Sequence, residues 1–232
     1  MTPERIAKLR QVLDRRQPDL TVITDFVHKQ RNASAIVRNC DAVGIMTAHA
    51  VVDKKDYKAF RGTAMGSHRW VKVIRHPSLD QAMEAVRRNG MQVVAAHPAQ
   101  GSRNYREIDY TEPTALLLGA EKHGISSEAI ASVDYCVTVP MVGMVGSYNV
   151  SVAAGIILAE AQSQRQQAGL YSRRRISDAD YQRLFFEWGH PSVRKFCMER
   201  GLEYPALDED GEIADPSAWY ASVRARLQQE EK

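Results

Sequence analysis

A chain of 232 residues with 44% hydrophobic residues is long enough to bury a substantial core without staples. Its three cysteines, Cys40, Cys136 and Cys197, are odd in number, far apart and show no metal-ligand spacing, which argues against both a disulfide framework and a zinc site. No apolar run approaches the roughly 20 residues of a membrane span, and a net charge of +3 is too small to identify a partner by itself. A cytoplasmic protein is expected.

In chain order, residues 2–16 read as an amphipathic helix with Pro3 in its first turn and Ile6, Leu9, Val12 and Leu13 on one face. Residues 21–27 read as a strand, and Asn32 is placed to cap a helix through Val43, with Ala33, Ile36, Val37 and Cys40 as its buried stripe and Gly44 as its terminator. Strands are expected over 45–52 and 70–74, separated by a basic loop over 53–61. Ser78-Leu-Asp-Gln81 resembles a capping box opening a helix to Asn89. Further strands are expected over 91–96, 114–118 and 135–139. The 114–118 segment is apolar throughout, as in a strand buried on both faces. A helix over 150–168 follows.

Alternating strands and helices imply a mainly parallel, three-layer α/β domain over residues 20–168. It is preceded by a helical extension over 1–19 and followed by one over 169–232. Basic residues crowd both ends: Arg5, Lys8, Arg10, Arg15 and Arg16, then Arg165, Arg173, Arg174, Arg175, Arg194, Lys195 and Arg200. Taken alone, such runs are equally solvated helix faces.

The chain lacks Gly-x-Gly-x-x-Gly after its first strand, a Gly-Lys-Ser/Thr phosphate loop, a Gly-x-Ser-x-Gly elbow and His-Glu-x-x-His. This argues against dinucleotide dehydrogenases, P-loop NTPases, α/β-hydrolases and zincins. Three polar clusters at strand ends remain. Asn32 and Arg38 follow the first strand; Glu121 lies between two glycines at the outlet of a buried strand; Ser147 and Asn149 precede the last long helix. Singly, these read as caps, a surface arginine and a turn carboxylate. Together they stand where open α/β sheets bind ligands, beyond the carboxyl ends of the strands.

Asn32-Ala-Ser-Ala-Ile-Val-Arg38, Gly119-Ala-Glu-Lys-His-Gly-Ile125 and Pro140-Met-Val-Gly-Met-Val-Gly-Ser-Tyr-Asn-Val-Ser-Val-Ala-Ala-Gly155 resemble, in order and spacing, the three motifs of the SpoU/TrmH ribose 2′-O-methyltransferases of the SPOUT class. The stretches 15–22, 106–110 and 164–171 extend the resemblance over nearly the whole chain and toward the tRNA-acting enzymes. It implies a SPOUT-type sheet with a C-terminal trefoil knot, a homodimer, and S-adenosyl-L-methionine as methyl donor to the ribose of the D-loop guanosine of tRNA.

By the same resemblance, Ala96, Gly119, Val139 and Tyr148 wall the cofactor, and Arg165, Arg173, Arg174 and Arg175 contact tRNA. Tyr148 stands where a Leu is expected, and Gly146 replaces a bulkier polar residue. The catalytic set implied is Arg38, Asn32, Glu121, Ser147 and Asn149. The family's proposed mechanism casts the arginine as base. A guanidinium stays protonated in proteins, however, so a fixed cation that binds phosphate and stabilises the emerging alkoxide suits Arg38 better. Alternatives are a SpoU enzyme acting on ribosomal RNA or the tRNA wobble ribose, and a catalytically silent RNA-binding protein of the same fold.

Overall fold

The computed structural model describes residues 1–52, 69–98, 101–120 and 124–230. The loop expected over 53–61 and the small-residue segment after it, together with Glu121, lie outside the described residues. The chain divides into two compact units: residues 15–175, and residues 1–14 with 176–232.

The larger unit is a parallel sheet of seven strands: β1 (Leu20–Asp25), β2 (Thr47–Val51), β3 (Lys72–His76), β4 (Gln92–Ala96), β5 (Arg103–Asn104), β6 (Thr114–Leu118) and β7 (Tyr135–Thr138). Their spatial order is β3-β2-β1-β6-β4-β7-β5. β6 is thus central, with Leu20 paired to Thr114 on one side and Gln92 to Thr114 on the other.

The alternation of side chains across a strand builds two cores from the same central strands. Leu20, Val22, Val94, Leu116 and Leu118 face α2 (Gln30–Ala42) and α5 (Val150–Gln167), meeting Ile36, Val37, Cys40, Ile157 and Leu158. Ile23, Val93, Ala95, Ala115 and Leu117 face the other way, toward Ala82, Met83 and Val86 of α3 (Leu79–Arg87) and Ala129 of α4 (Ser127–Ser132). This accounts for the unbroken apolar run of β6, whose five residues are all buried.

Local punctuation is mostly as expected. Ser78 accepts a hydrogen bond from the Gln81 amide at the start of α3, and Gly44 takes φ 84° directly after the α2 cap. Asn32 differs. Helix α2 begins at Gln30 with Lys29 as its N-cap, so Asn32 lies inside the first turn, buried, and is not the N-cap residue. The strand expected to begin at Trp70 begins at Lys72. The short β5 and α4 carry too few residues for a period to register.

In the smaller unit, α1 (Pro3–Asp14) joins α6 (Asp178–Gly189), α7 (Pro191–Arg200) and α8 (Pro216–Glu230). Its buried residues include Ile6, Leu9 and Leu13 from one end of the chain, and Ile176, Phe185, Phe186, Trp188, Cys197 and Val223 from the other. The two terminal extensions therefore form one helical unit. Arg5 donates to the Trp188 carbonyl at 3.2 Å and Arg10 to the Glu209 carbonyl at 2.8 Å within it. All three cysteines are free, and no helix among the described residues is long and apolar enough to cross a membrane.

Candidate cofactor pocket and active site

Because the strands are parallel, their carboxyl ends share one edge of the sheet. A cavity of about 440 Å³ opens there, beyond β4, β6 and β7, within the roughly 300–1,000 Å³ typical of small-molecule and cofactor sites. Ala96 and His97 line it from β4, Leu118 and Gly119 from β6, and Val137, Thr138 and Val139 from β7. The loop before α5 adds Ser147, Tyr148 and Asn149, and Ala153 and Ile157 follow from the helix. All four expected cofactor positions, Ala96, Gly119, Val139 and Tyr148, border this one cavity.

The turn after β6 is held by reciprocal hydrogen bonds between Ala120 and Gly124, 3.2 and 2.9 Å. It brings Gly124 so close that a Cβ on Gly119 would lie 2.6 Å from the Gly124 carbonyl oxygen. Only glycine fits there. The strand ends here present backbone groups beside apolar side chains such as Leu118, Ile125 and Val137, a mixture that suits an adenine ring and its hydrogen-bonding edge.

Asn149 has two roles. Its Oδ1 accepts from the Ser151 amide at 2.9 Å and the Ser151 hydroxyl at 2.7 Å, capping α5. Its Nδ2 donates to Asn32 Oδ1 at 3.2 Å. This explains the buried Asn32: its amide faces the loop that closes the cavity. Ser147 borders the cavity but is not the cap of α5.

Residues 19–159 match the SpoU rRNA Methylase family, and residues 163–216 match SpoU, rRNA methylase, C-terminal. The chain belongs to the SpoU methylase family. A tRNA (guanosine(18)-2'-O)-methyltransferase of Escherichia coli K12 is 44% identical over 227 residues, covering 97% of this chain and 99% of the relative. The solved A. aeolicus TrmH/SpoU tRNA modifying enzyme superposes with a TM-score of 0.74 at 39% identity, covering 86% of this chain and 98% of the other. An AdoMet-bound rRNA methyltransferase from Sinorhizobium meliloti gives a TM-score of 0.56 at 30% identity, covering 68% of this chain and 59% of the other.

Within this SpoU family chain, the candidate residues fall into distinct settings. Arg38 is exposed on α2 and does not line the cavity. Arg173 and Arg174 are exposed, as an RNA-contacting surface requires. Arg165 is not. It is fully buried, and its guanidinium donates to the carbonyls of Tyr110, Asp19 and Glu112, to Gln17 Oε1, and to the Asp19 carboxylate at 2.7 Å. With every N–H directed inward, Arg165 holds the interior rather than RNA. Arg175 is half-buried on the same carboxylate, at 2.7 and 2.8 Å. Burial alone would raise the Asp19 carboxyl, but the hydrogen bonds and charges of Arg175 and Arg165 outweigh it and the net shift is downward. Arg16, another of the terminal cations, is buried against Asp41 at 2.8 Å.

Three features near the carboxyl edge of the SpoU chain's sheet have no signal in the sequence. Lys29, the α2 cap, borders the cavity. Asp25, at the carboxyl end of β1, has its carboxyl pushed up by burial. Phe26 follows it with φ 48°, the one non-glycine residue with positive φ among those described. Phe26 packs against the α3-side core rather than lining the cavity, and nothing in the sequence around it announces this backbone.

Proposed function

We propose that this protein transfers a methyl group from S-adenosyl-L-methionine to the ribose 2′-hydroxyl of guanosine 18 in the tRNA D-loop. The observation that carries this is the 44% identity, over 97% of the chain, to a tRNA (guanosine(18)-2'-O)-methyltransferase. The carboxyl-edge cavity supports it independently, since its residues fit the cofactor. The cofactor supplies an electrophilic sulfonium methyl.

The chain's own residues supply position and electrostatics. Ala96, Gly119, Val139 and Tyr148 hold adenosine against the strand ends. Tyr148, half in the cavity wall, replaces an aliphatic contact with an aromatic face. Arg38 binds the phosphate beside the target ribose and stabilises the alkoxide as the 2′-hydroxyl proton leaves to water or a neighbouring group. Asn32, through Asn149, keeps α2 and the closing loop in register, while Ser147 orders the loop before α5 around the substrate. Arg173 and Arg174 contribute salt-dependent phosphate contacts.

The active unit is a homodimer with a trefoil knot formed by residues 119–155. The strand order supports the knot, because β6 lies between β1 and β4 while β7 lies on the far side of β4. Fully exposed Val142 and Met144, with exposed Val145 and Val152, support the dimer, since a monomer would leave these side chains in water.

The test is incubation with methyl-labelled S-adenosylmethionine and unmodified tRNA, followed by nucleoside mapping. Label in 2′-O-methylguanosine at position 18 is expected. Label on a base, on another ribose, or none in tRNA overturns the assignment.

A further inference from the structure

We infer that Asn39 is a positioning residue for methyl transfer, fixing the helix that carries Arg38 against the first turn of α5. Asn32 and Asn39 are seven residues apart on α2, two turns or about 10.5 Å along one stripe. Both are tied to the start of α5. Asn32 accepts from Asn149, whose own Oδ1 is held by Ser151. Asn39 donates through Nδ2 to the Ser151 carbonyl at 3.0 Å.

Ser151 is thus the common point: its amide and hydroxyl serve Asn149, and its carbonyl serves Asn39. One turn further along α5, a Cβ on Gly155 would lie 3.3 Å from Asn39 Nδ2, so the bare glycine face makes room for this amide. Apolar packing of α2 on α5 holds the two helices together but leaves small sliding and rotation, which a single polar attachment would restrain only at one point. Two attachments along one stripe restrain that residual movement, so the backbone of Arg38, adjacent to Asn39, keeps a set position relative to the loop Ser147, Tyr148 and Asn149 at the cavity. Asn39 does not line the cavity and acts through Arg38.

The inference rests on the reading of Arg38 as the residue that works on the substrate. Misplacement of about 1 Å costs on the order of 100-fold in rate. Asn39→Asp keeps the shape but replaces the donor with a carboxylate facing a carbonyl, and is expected to lower kcat by about 10- to 100-fold. Calorimetric Kd values for S-adenosylmethionine and for tRNA are expected to stay within about twofold. A merely structural role would move melting midpoint, affinity and kcat together.

Gly155→Ala retains Asn39 and crowds its amide, and is expected to give the same split at smaller amplitude even if Asn39→Asp fails to fold. Wild-type kcat in both variants, or equal losses in kcat and cofactor affinity, overturns the inference. Arg38→Ala separates it from its premise. If Arg38→Ala transfers methyl normally, the reading of Arg38 fails. If Arg38→Ala is inactive while Asn39→Asp and Gly155→Ala are fully active, only the positioning role fails.

Discussion

Asn149 Nδ2 donates to Asn32 Oδ1 at 3.2 Å although the two residues are 117 positions apart. The same Asn149 caps α5 through its other amide atom. Asn149→Ala therefore removes a cap and a tertiary bond together. It is expected to lower melting stability by about 1–2 kcal/mol and to reduce methyl transfer by at least about 10-fold. The double variant with Asn32→Ala should lose less than the sum of the singles, because they share one bond. Thermal unfolding and single-turnover rates check this, and additive losses would show that the bond does not couple them.

Glycines at the cavity should differ sharply in tolerance. Gly119→Ala forces a Cβ into the backbone of Gly124, while a Cβ at Gly146 meets nothing within 4 Å. The first variant is expected to lose cofactor binding by at least about 100-fold, a shift of the β6 outlet being unavoidable, and the second to bind normally. Titration calorimetry with S-adenosylmethionine distinguishes them.

Arg165 and Arg173 should separate stability from RNA binding. Arg165→Met removes five hydrogen bonds, strips the Tyr110 carbonyl of its donor and leaves the half-buried Asp19 carboxylate to Arg175 alone, and is expected to cost about 3 kcal/mol of stability. Arg173→Ala is expected to leave stability unchanged, weaken tRNA binding, and make the slope of log K against log salt shallower by roughly one. Denaturant titration and filter binding across salt read the two effects. The depressed Asp19 carboxyl contributes stability above its ordinary value of about 3.9, and that contribution is lost as pH falls through its lower folded value. Asp19→Asn should flatten this acid arm.

A second pH dependence comes from His49 and His76, whose ring nitrogens lie 2.8 Å apart in stacked rings at the β2–β3 pair. Burial, then the neighbouring His76, lowers His49 to about 4, and burial lowers His76. Below pH ~6.5 the unfolded chain takes up protons that the folded pair refuses. Stability is therefore expected to fall from pH 6.5 until His49 titrates near 4, and His49→Gln should reduce the slope. Melting midpoints at neutral and mildly acidic pH measure it.

The elements legible in the chain were those set by local physics. β6 spans the five residues that its apolar run marked, because a strand covered on both faces needs no polar alternation. Ser78 and Asn149 were readable as caps because a cap bonds an amide two or three residues away. The two-residue β5 is too short for any period, and Phe26 adopts positive φ without a sequence signal.

By itself the sequence determined the alternation of strands and helices, the chain positions of the three motifs, and their resemblance to SpoU methylases, since periodicity, capping and motif spacing are properties of neighbouring residues. Only the tertiary structure decided that Arg165 would be an interior cation, that Asn32 would face Asn149 instead of capping a helix, and that β6 would lie between β1 and β4. Each of these depends on which distant segments share an interior. Among a dozen basic residues alike in composition, burial beside Asp19 distinguishes Arg165 as a structural arginine from the exposed Arg173 and Arg174.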